Sequence, residues 1–405
     1  MSKNIIFCAD GTWNGPGQDD NNDGIPDITN VYKLFLDIPG ELDVYSLNLQ
    51  DEQEKTTKDS AGHITQISKY IHGVGDSKNF LNKLLGGVFG AGIIERIVRG
   101  YTFISRNYLP GDKIYLVGFS RGAYTARALA GMIAKMGLLD ASQYDLSDRE
   151  EGYRLGSAVW TAYRKAANVD QGLLTTILRD APAFFHKEID ASTLLNDVPV
   201  EAVCVWETVG ALGIPKYREN ERVDLFQFAD TELNPLVKNG RHAISIDEQR
   251  VDFTPAIWNK RMGIQQVLFS GIHADIGGGY ASLENGNGLS NTAYIWMRNE
   301  LKHLGVNITL KNYAADFKGQ IHCEWGPDSV YKEVAARTLQ APLSADIGIH
   351  RSAIQRLNNP DPLPARAPKN GLWENVHYQP ESLKVFYETL WIVPEAFYIV
   401  DDRTV

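Results

Sequence analysis

The sequence predicts an α/β fold: a mostly parallel central sheet with helices on both faces and a helical insertion. Three observations carry that expectation. Short apolar runs rich in β-branched and aromatic residues recur along the chain, as strands covered on both faces require. Helix-period stretches fall between them. At 405 residues, 43% apolar and 22% charged, the chain can build a substantial core.

The elements follow in order. Residues 4–8 (NIIFC) form the first strand candidate. Residues 50–68 are polar and without period and read as an insertion. Residues 92–109 place Ile93, Ile97, Tyr101 and Ile104 on one helical face. Residues 113–119 (KIYLVGF) are a strand, and residues 121–137 an alanine-rich helix ending at a glycine, as helices often do. Residues 140–195 have helical character and separate two core strands, the place of a cap over a site or of an ordinary helical excursion. Residues 200–206 (VEAVCVW) and 265–271 (QQVLFSG) are further strands, and residues 291–306 a further helix. Residues 358–371 are a Pro-rich surface connection. The expected organisation is one domain over residues 1–405, with an insertion at about 140–195 and a C-terminal extension after about 357.

Composition narrows the function classes. The formal net charge of −10 leaves no basic excess to displace counterions, which argues against nucleic acid as main partner. Three cysteines, Cys8, Cys204 and Cys323, have no short spacing, so neither a disulfide framework nor a zinc motif is expected; a reducing compartment fits. No signal peptide is visible and no apolar run reaches the ~20 residues that span a bilayer. The expectation is a protein made in the cytoplasm, exported, if at all, by a leaderless route.

Gly118-Phe119-Ser120-Arg121-Gly122 matches G-x-S-x-G between a strand and a helix. A sharp turn there lifts a serine hydroxyl above the sheet and crowds the backbone, so Gly118 and Gly122 are small of necessity. The helix N-terminus favours an oxyanion. A structural turn is the plainer alternative. A serine nucleophile needs a base and a carboxylate that orients it, in the order Ser, Asp/Glu, His. Glu207 follows strand 200–206 and reads as that acid, or as a solvated strand-end carboxylate. His273, after strand 265–271 and before Gly277-Gly278-Gly279, reads as the base; His242 and His350 are the runners-up. Asp275 could brace the loop, bind a cation or compete with Glu207. Oxyanion donors are expected at Arg121 N–H and in the loop after the first strand, at Gly11 or Thr12, with Asp10 shaping that loop. These groups would all lie at the carboxyl ends of parallel strands, where ligands bind.

The segments CADGTWN, TNVYKL, HGVGD, GFSRGAYTARALAGMI, VWETVGALG, AISIDEQR and GIHADIGGGY resemble an α/β-hydrolase family that includes type VI secretion phospholipase effectors, up to about Arg356. The resemblance implies an α/β-hydrolase-like fold, a Ser–Asp–His triad carried here by Ser120, Glu207 and His273, and esterase or phospholipase activity. Glutamate replaces the usual aspartate at 207, so a longer side chain has to be accommodated.

The implied chemistry is acyl transfer from an ester, through an acyl-enzyme, to water. It requires no cofactor. Its partners would be an ester or phospholipid substrate, peripheral membrane contact and an immunity or secretion partner. A non-lipid ester or amide substrate, or a catalytically silent binding module, are the alternatives. GGVFGAG (86–92) suggests nucleotide binding only weakly, since no G-K-[ST] follows. Separately, Asp19, Asn21, Asp23, Ile25 and Asp27, with Gly24 at the bend, have the spacing of a structural Ca2+ loop, or of a solvated acidic loop.

Overall fold

The computed structural model describes residues 2–11, 19, 26–44, 52–73, 88–166, 189–209, 232–281, 287–326, 329, 331, 333–337, 347–384 and 398–405. The strands are β1 (Asn4–Ala9), β2 (Glu41–Leu42), β3 (Glu52–Lys58), β4 (Ile64–Ile71), β5 (Lys113–Phe119), β6 (Leu138–Leu139), β7 (Leu194–Leu195), β8 (Val200–Trp206), β9 (Val237–Ser245), β10 (Ile264–Phe269), β11 (Ile347–His350), β12 (Leu363–Arg366), β13 (Trp373–Val376) and β14 (Ile399–Val400). The helices are α1 (Asn30–Asp37), α2 (Val88–Asn107), α3 (Arg121–Met136), α4 (Arg149–Ala166), α5 (His273–Gly277), α6 (Gly288–His303) and α7 (Arg351–Leu357).

Among the described residues, ten strands form one sheet in the order β14-β11-β10-β9-β8-β5-β1-β4-β3-β2. From β14 to β4 every neighbouring pair is parallel; β3 and β2 add antiparallel pairings at one side. The fold is therefore α/β with a mostly parallel central sheet.

Strand period two divides the core. Ile5, Phe7 and Ala9 of β1 face a layer built with Ile97, Tyr101 and Ile104 of α2 and Leu129 and Ile133 of α3. Ile6 and Cys8 face the opposite layer, with Leu34 and Phe35 of α1 and Trp296, Met297 and Leu301 of α6. Both layers are closed to solvent, which is why these strands are continuously apolar. Cys8 and Cys204 are buried in them as small hydrophobes. No helix among the described residues is long and apolar enough to cross a membrane.

The polar stretch at 50–68 is not an insertion. It contributes β3 and part of β4, carried by buried charge instead of apolar side chains. Lys69 Nζ meets Glu52 Oε2 at 2.5 Å and Glu54 Oε1 at 3.0 Å, while Arg99 and Arg106 of α2 pair with the same two carboxylates. The 358–371 connection likewise contains β12, which forms a hairpin with β13. The 140–195 segment holds α4, whose Leu155, Val159 and Trp160 pack into the α2–α3 layer; residues 167–188 lie outside the described residues. Gly90 and Gly92 of GGVFGAG lie in the opening turns of α2.

A buried charge network loses more when one partner is removed than a surface pair does. Lys69→Met should cost about 3–5 kcal/mol by urea unfolding. An exposed pair such as Lys238–Glu201 should cost under about 1 kcal/mol in the same assay.

Candidate active site

Ser120 stands between β5 and α3 with φ 57° and ψ −121°, a left-handed backbone that a non-glycine residue holds at a cost of about 1–3 kcal/mol. Its N–H donates to Trp206 O at 3.1 Å. The flanking glycines are required by contact: a Cβ on Gly118 would stand 2.3 Å from Gly122 O, and one on Gly122 would stand 2.0 Å from Ala9 O. The start of α3 is thus pressed against the end of β1, which brings Arg121, the first residue of that helix, and Gly11 to the same rim.

Glu207 follows β8, also with positive φ (46°), and is fully buried. Its Oε2 lies 3.1 Å from His273 Nδ1. A carboxylate there accepts, so Nδ1 carries the proton and Nε2 is the free acceptor nitrogen of the ring. His273 opens α5, 6% exposed. The Phe119 ring, next to Ser120 in the chain, lies 4.8 Å from the imidazole, and the Phe253 ring meets it edge-on at 4.9 Å. Gly277 leaves room for Phe119, since a Cβ there would stand 2.0 Å from that ring. Burial lowers the His273 pKa below the ordinary imidazole value against the opposing pull of Glu207. The ring is therefore a neutral base near pH 7.

Of the neighbouring groups, Arg337 was not apparent in the sequence. Arg337 forks onto Glu207, Nη1 to Oε1 at 2.9 Å and Nη2 to Oε2 at 2.8 Å. Ser245 N–H donates to Glu207 Oε1 at 2.6 Å. Although burial pushes the Glu207 pKa up, Arg337 and His273 more than offset it, and the carboxyl stays well below its ordinary value. Glu248 pairs with Arg250 through two hydrogen bonds of 2.8 and 2.7 Å and accepts His273 N–H at 3.2 Å. AISIDEQR carried a signal for Glu248 and Arg250, a charged run at a strand exit; Arg337 had none.

The runners-up stand elsewhere. His242 is buried on β9, its Nε2 accepts Thr208 N–H at 3.2 Å, and burial takes its pKa down to about 3. His350 caps α7 and stacks on Phe269 at 4.7 Å. Asp275 braces the loop: its Oδ2 accepts Ile272 N–H at 3.0 Å, and its Oδ1 lies 2.6 Å from His322 Nδ1.

Asp10 is buried and accepts from Tyr70 Oη at 2.7 Å, Thr29 Oγ1 at 2.8 Å and Gly11 N–H at 2.7 Å. The Gly11 amide therefore serves Asp10 in this conformation. Thr12 lies outside the described residues, as do Asn21, Asp23, Gly24 and Ile25 of the acidic loop; Asp19 and Asp27 are described. Among the described residues no group of three or more His, Cys, Asp or Glu side chains is placed to hold a metal ion.

An α/β protein with a strained serine and a carboxylate–imidazole pair at one rim of a parallel sheet is the class these observations define. The profile of the type VI secretion phospholipase effector Tle1-like catalytic domain matches residues 3–300, and the chain belongs to that family. An uncharacterized protein of Saccharomyces cerevisiae is 26% identical over 264 residues, which is 62% of this chain and 32% of the yeast protein. Among solved structures, an uncharacterized protein from Pseudomonas aeruginosa aligns with TM-score 0.41 at 16% identity, over 76% of this chain and 46% of its own. The Tle1 effector bound to the VgrG spike of the type VI secretion system aligns with TM-score 0.35 at 19% identity, over 69% and 51%. The chain thus spans about a third of the yeast relative and about half of each solved chain.

Burial raises the Asp10 pKa to about 7, above its unfolded value of 3.8. A group raised on folding stabilises fully below its unfolded pKa and loses that contribution as pH rises through its folded pKa. The stability of the wild type relative to Asp10→Asn should therefore fall by about 2–3 kcal/mol between pH 5 and pH 8, measured by urea unfolding.

Proposed function

We propose that the chain is a serine hydrolase of α/β-hydrolase fold that cleaves carboxylic esters, with phospholipid as the leading substrate class. The observation that carries the proposal is the buried Glu207–His273 hydrogen bond at the rim where Ser120 is held in a strained turn. In this reading His273 Nε2 takes the Ser120 proton as Oγ attacks the ester carbonyl. Glu207 orients the ring and stabilises the imidazolium. Arg121 N–H at the start of α3 donates to the tetrahedral oxyanion, and Gly11 N–H joins it by exchanging its bond to Asp10 for one to substrate. His273 returns the proton to the leaving alcohol, and water then attacks the acyl-Ser120 ester with His273 again as base.

Family membership supports a lipid ester, because the family is described by its phospholipase effectors. Delivery through a type VI secretion apparatus, with a partner from that machinery, belongs to the same proposal. The second reading is a hydrolase of a non-lipid ester or amide.

Ser120→Ala should lower turnover of a p-nitrophenyl ester by at least about 10³-fold with the circular dichroism spectrum unchanged. A fluorophosphonate probe should label Ser120 in the wild type. Retained turnover in the variant would refute the nucleophile. Mass spectrometry of lipids after incubation with a total membrane extract separates the readings: lysophospholipid and fatty acid support the first, an unchanged lipid profile alongside small-ester turnover the second.

A further inference from the structure

The geometry points to Arg337 as a positioning residue for the triad acid, one that keeps the Glu207–His273 pair ready to accept a proton only from substrate chemistry, well into mildly acidic solution. This rests on the triad reading of Ser120, Glu207 and His273. Arg337 lies beyond residue 300, the last that the family profile matches, so the inference also makes the C-terminal part of the chain a working part of the site.

Arg337 is itself fixed before it meets Glu207. Nη1 donates to Ser245 O and Nη2 to Phe253 O, each at 2.7 Å. Those two carbonyls set the plane of the guanidinium, and the fork then sets the carboxylate. Both carboxylate oxygens are held, so the oxygen that meets His273 cannot rotate away. A lysine would supply the charge without the plane.

The charges around the imidazole also balance. From the exit of β8 comes Glu207; from the segment after β9 come Glu248 and Arg250; from residues 333–337 comes Arg337. Asp275, on α5 itself, is engaged by His322. Behind Glu207 stand His242, kept neutral by burial, and Arg127 of α3. Glu207 and Glu248 are each matched by a guanidinium, which weakens their pull on a proton at His273. Without Arg337, Glu207 would be a buried carboxylate with only the Ser245 amide and the imidazole as partners. The pair would then take up a proton at higher pH, whichever of the two carried it. That proton would occupy the base and stop catalysis.

The test is kcat and KM for a short-chain p-nitrophenyl ester between pH 4 and pH 9, on the full chain and on Arg337→Gln and Arg337→Lys. In the wild type the acid limb of kcat/KM is expected below the ordinary imidazole value of about 6.5. In Arg337→Gln the limb should move up by about one unit or more, with kcat at the plateau down about 100-fold. In Arg337→Lys the limb should stay near that of the wild type while kcat falls about 10-fold at unchanged KM. A residue that only supported the fold would lower activity without moving the limb. A folded Arg337→Gln protein with an unshifted limb overturns the inference. If Arg337→Gln does not fold, Arg337→Lys decides: wild-type kcat in that variant overturns it equally. Failure of a fluorophosphonate to label Ser120 in the wild type would instead overturn the triad reading itself.

Discussion

An ionised carboxylate with no exposure to water is the constraint on which the site is built. Burial alone would protonate Glu207, and a protonated acid could not stabilise an imidazolium. Four donors prevent that: two from Arg337, one from the Ser245 amide and one from His273. They come from three separate stretches of the chain and the carboxylate from a fourth, so it is satisfied only once β8, β9, α5 and the 333–337 segment are all in place.

The parallel sheet explains how distant residues meet. Because β1, β5, β8, β9 and β10 run in one direction, their carboxyl ends share a rim, and the residues after them stand side by side. The close approach of Gly122 to Ala9 O joins the exits of β5 and β1, and the Ser120 N–H bond to Trp206 O joins that of β5 to that of β8. The backbone strain at Ser120 and Glu207 lies at two of those exits, where the chain turns abruptly from strand into the site.

What could be read from the sequence followed from what each element has to bury. The strands at 113–119 and 200–206 match the observed bounds, because a strand covered on both faces is apolar throughout. The strands β3 and β4 were illegible, because their buried positions include Glu52, Glu54 and Lys69, whose partners are each other and two arginines of α2. The strand β9 was hidden for the same reason: Arg241, within it, is neutralised by Glu300 of α6 at 2.6 Å. The placement of Ser120, Glu207 and His273 just beyond strands was legible through the apolar runs before them. Arg337 was not, since its partner lies 130 residues away and no period or motif marks the segment around it.

Among the described residues the sheet ends at both flanks in strands of two residues, Glu41–Leu42 and Ile399–Val400. A long open flank would be a template on which a second copy could add its own strand. On either outermost strand a newcomer would find a ladder of two residues, too little to hold register. Brevity in the outermost strands thus gives accretion little to build on there.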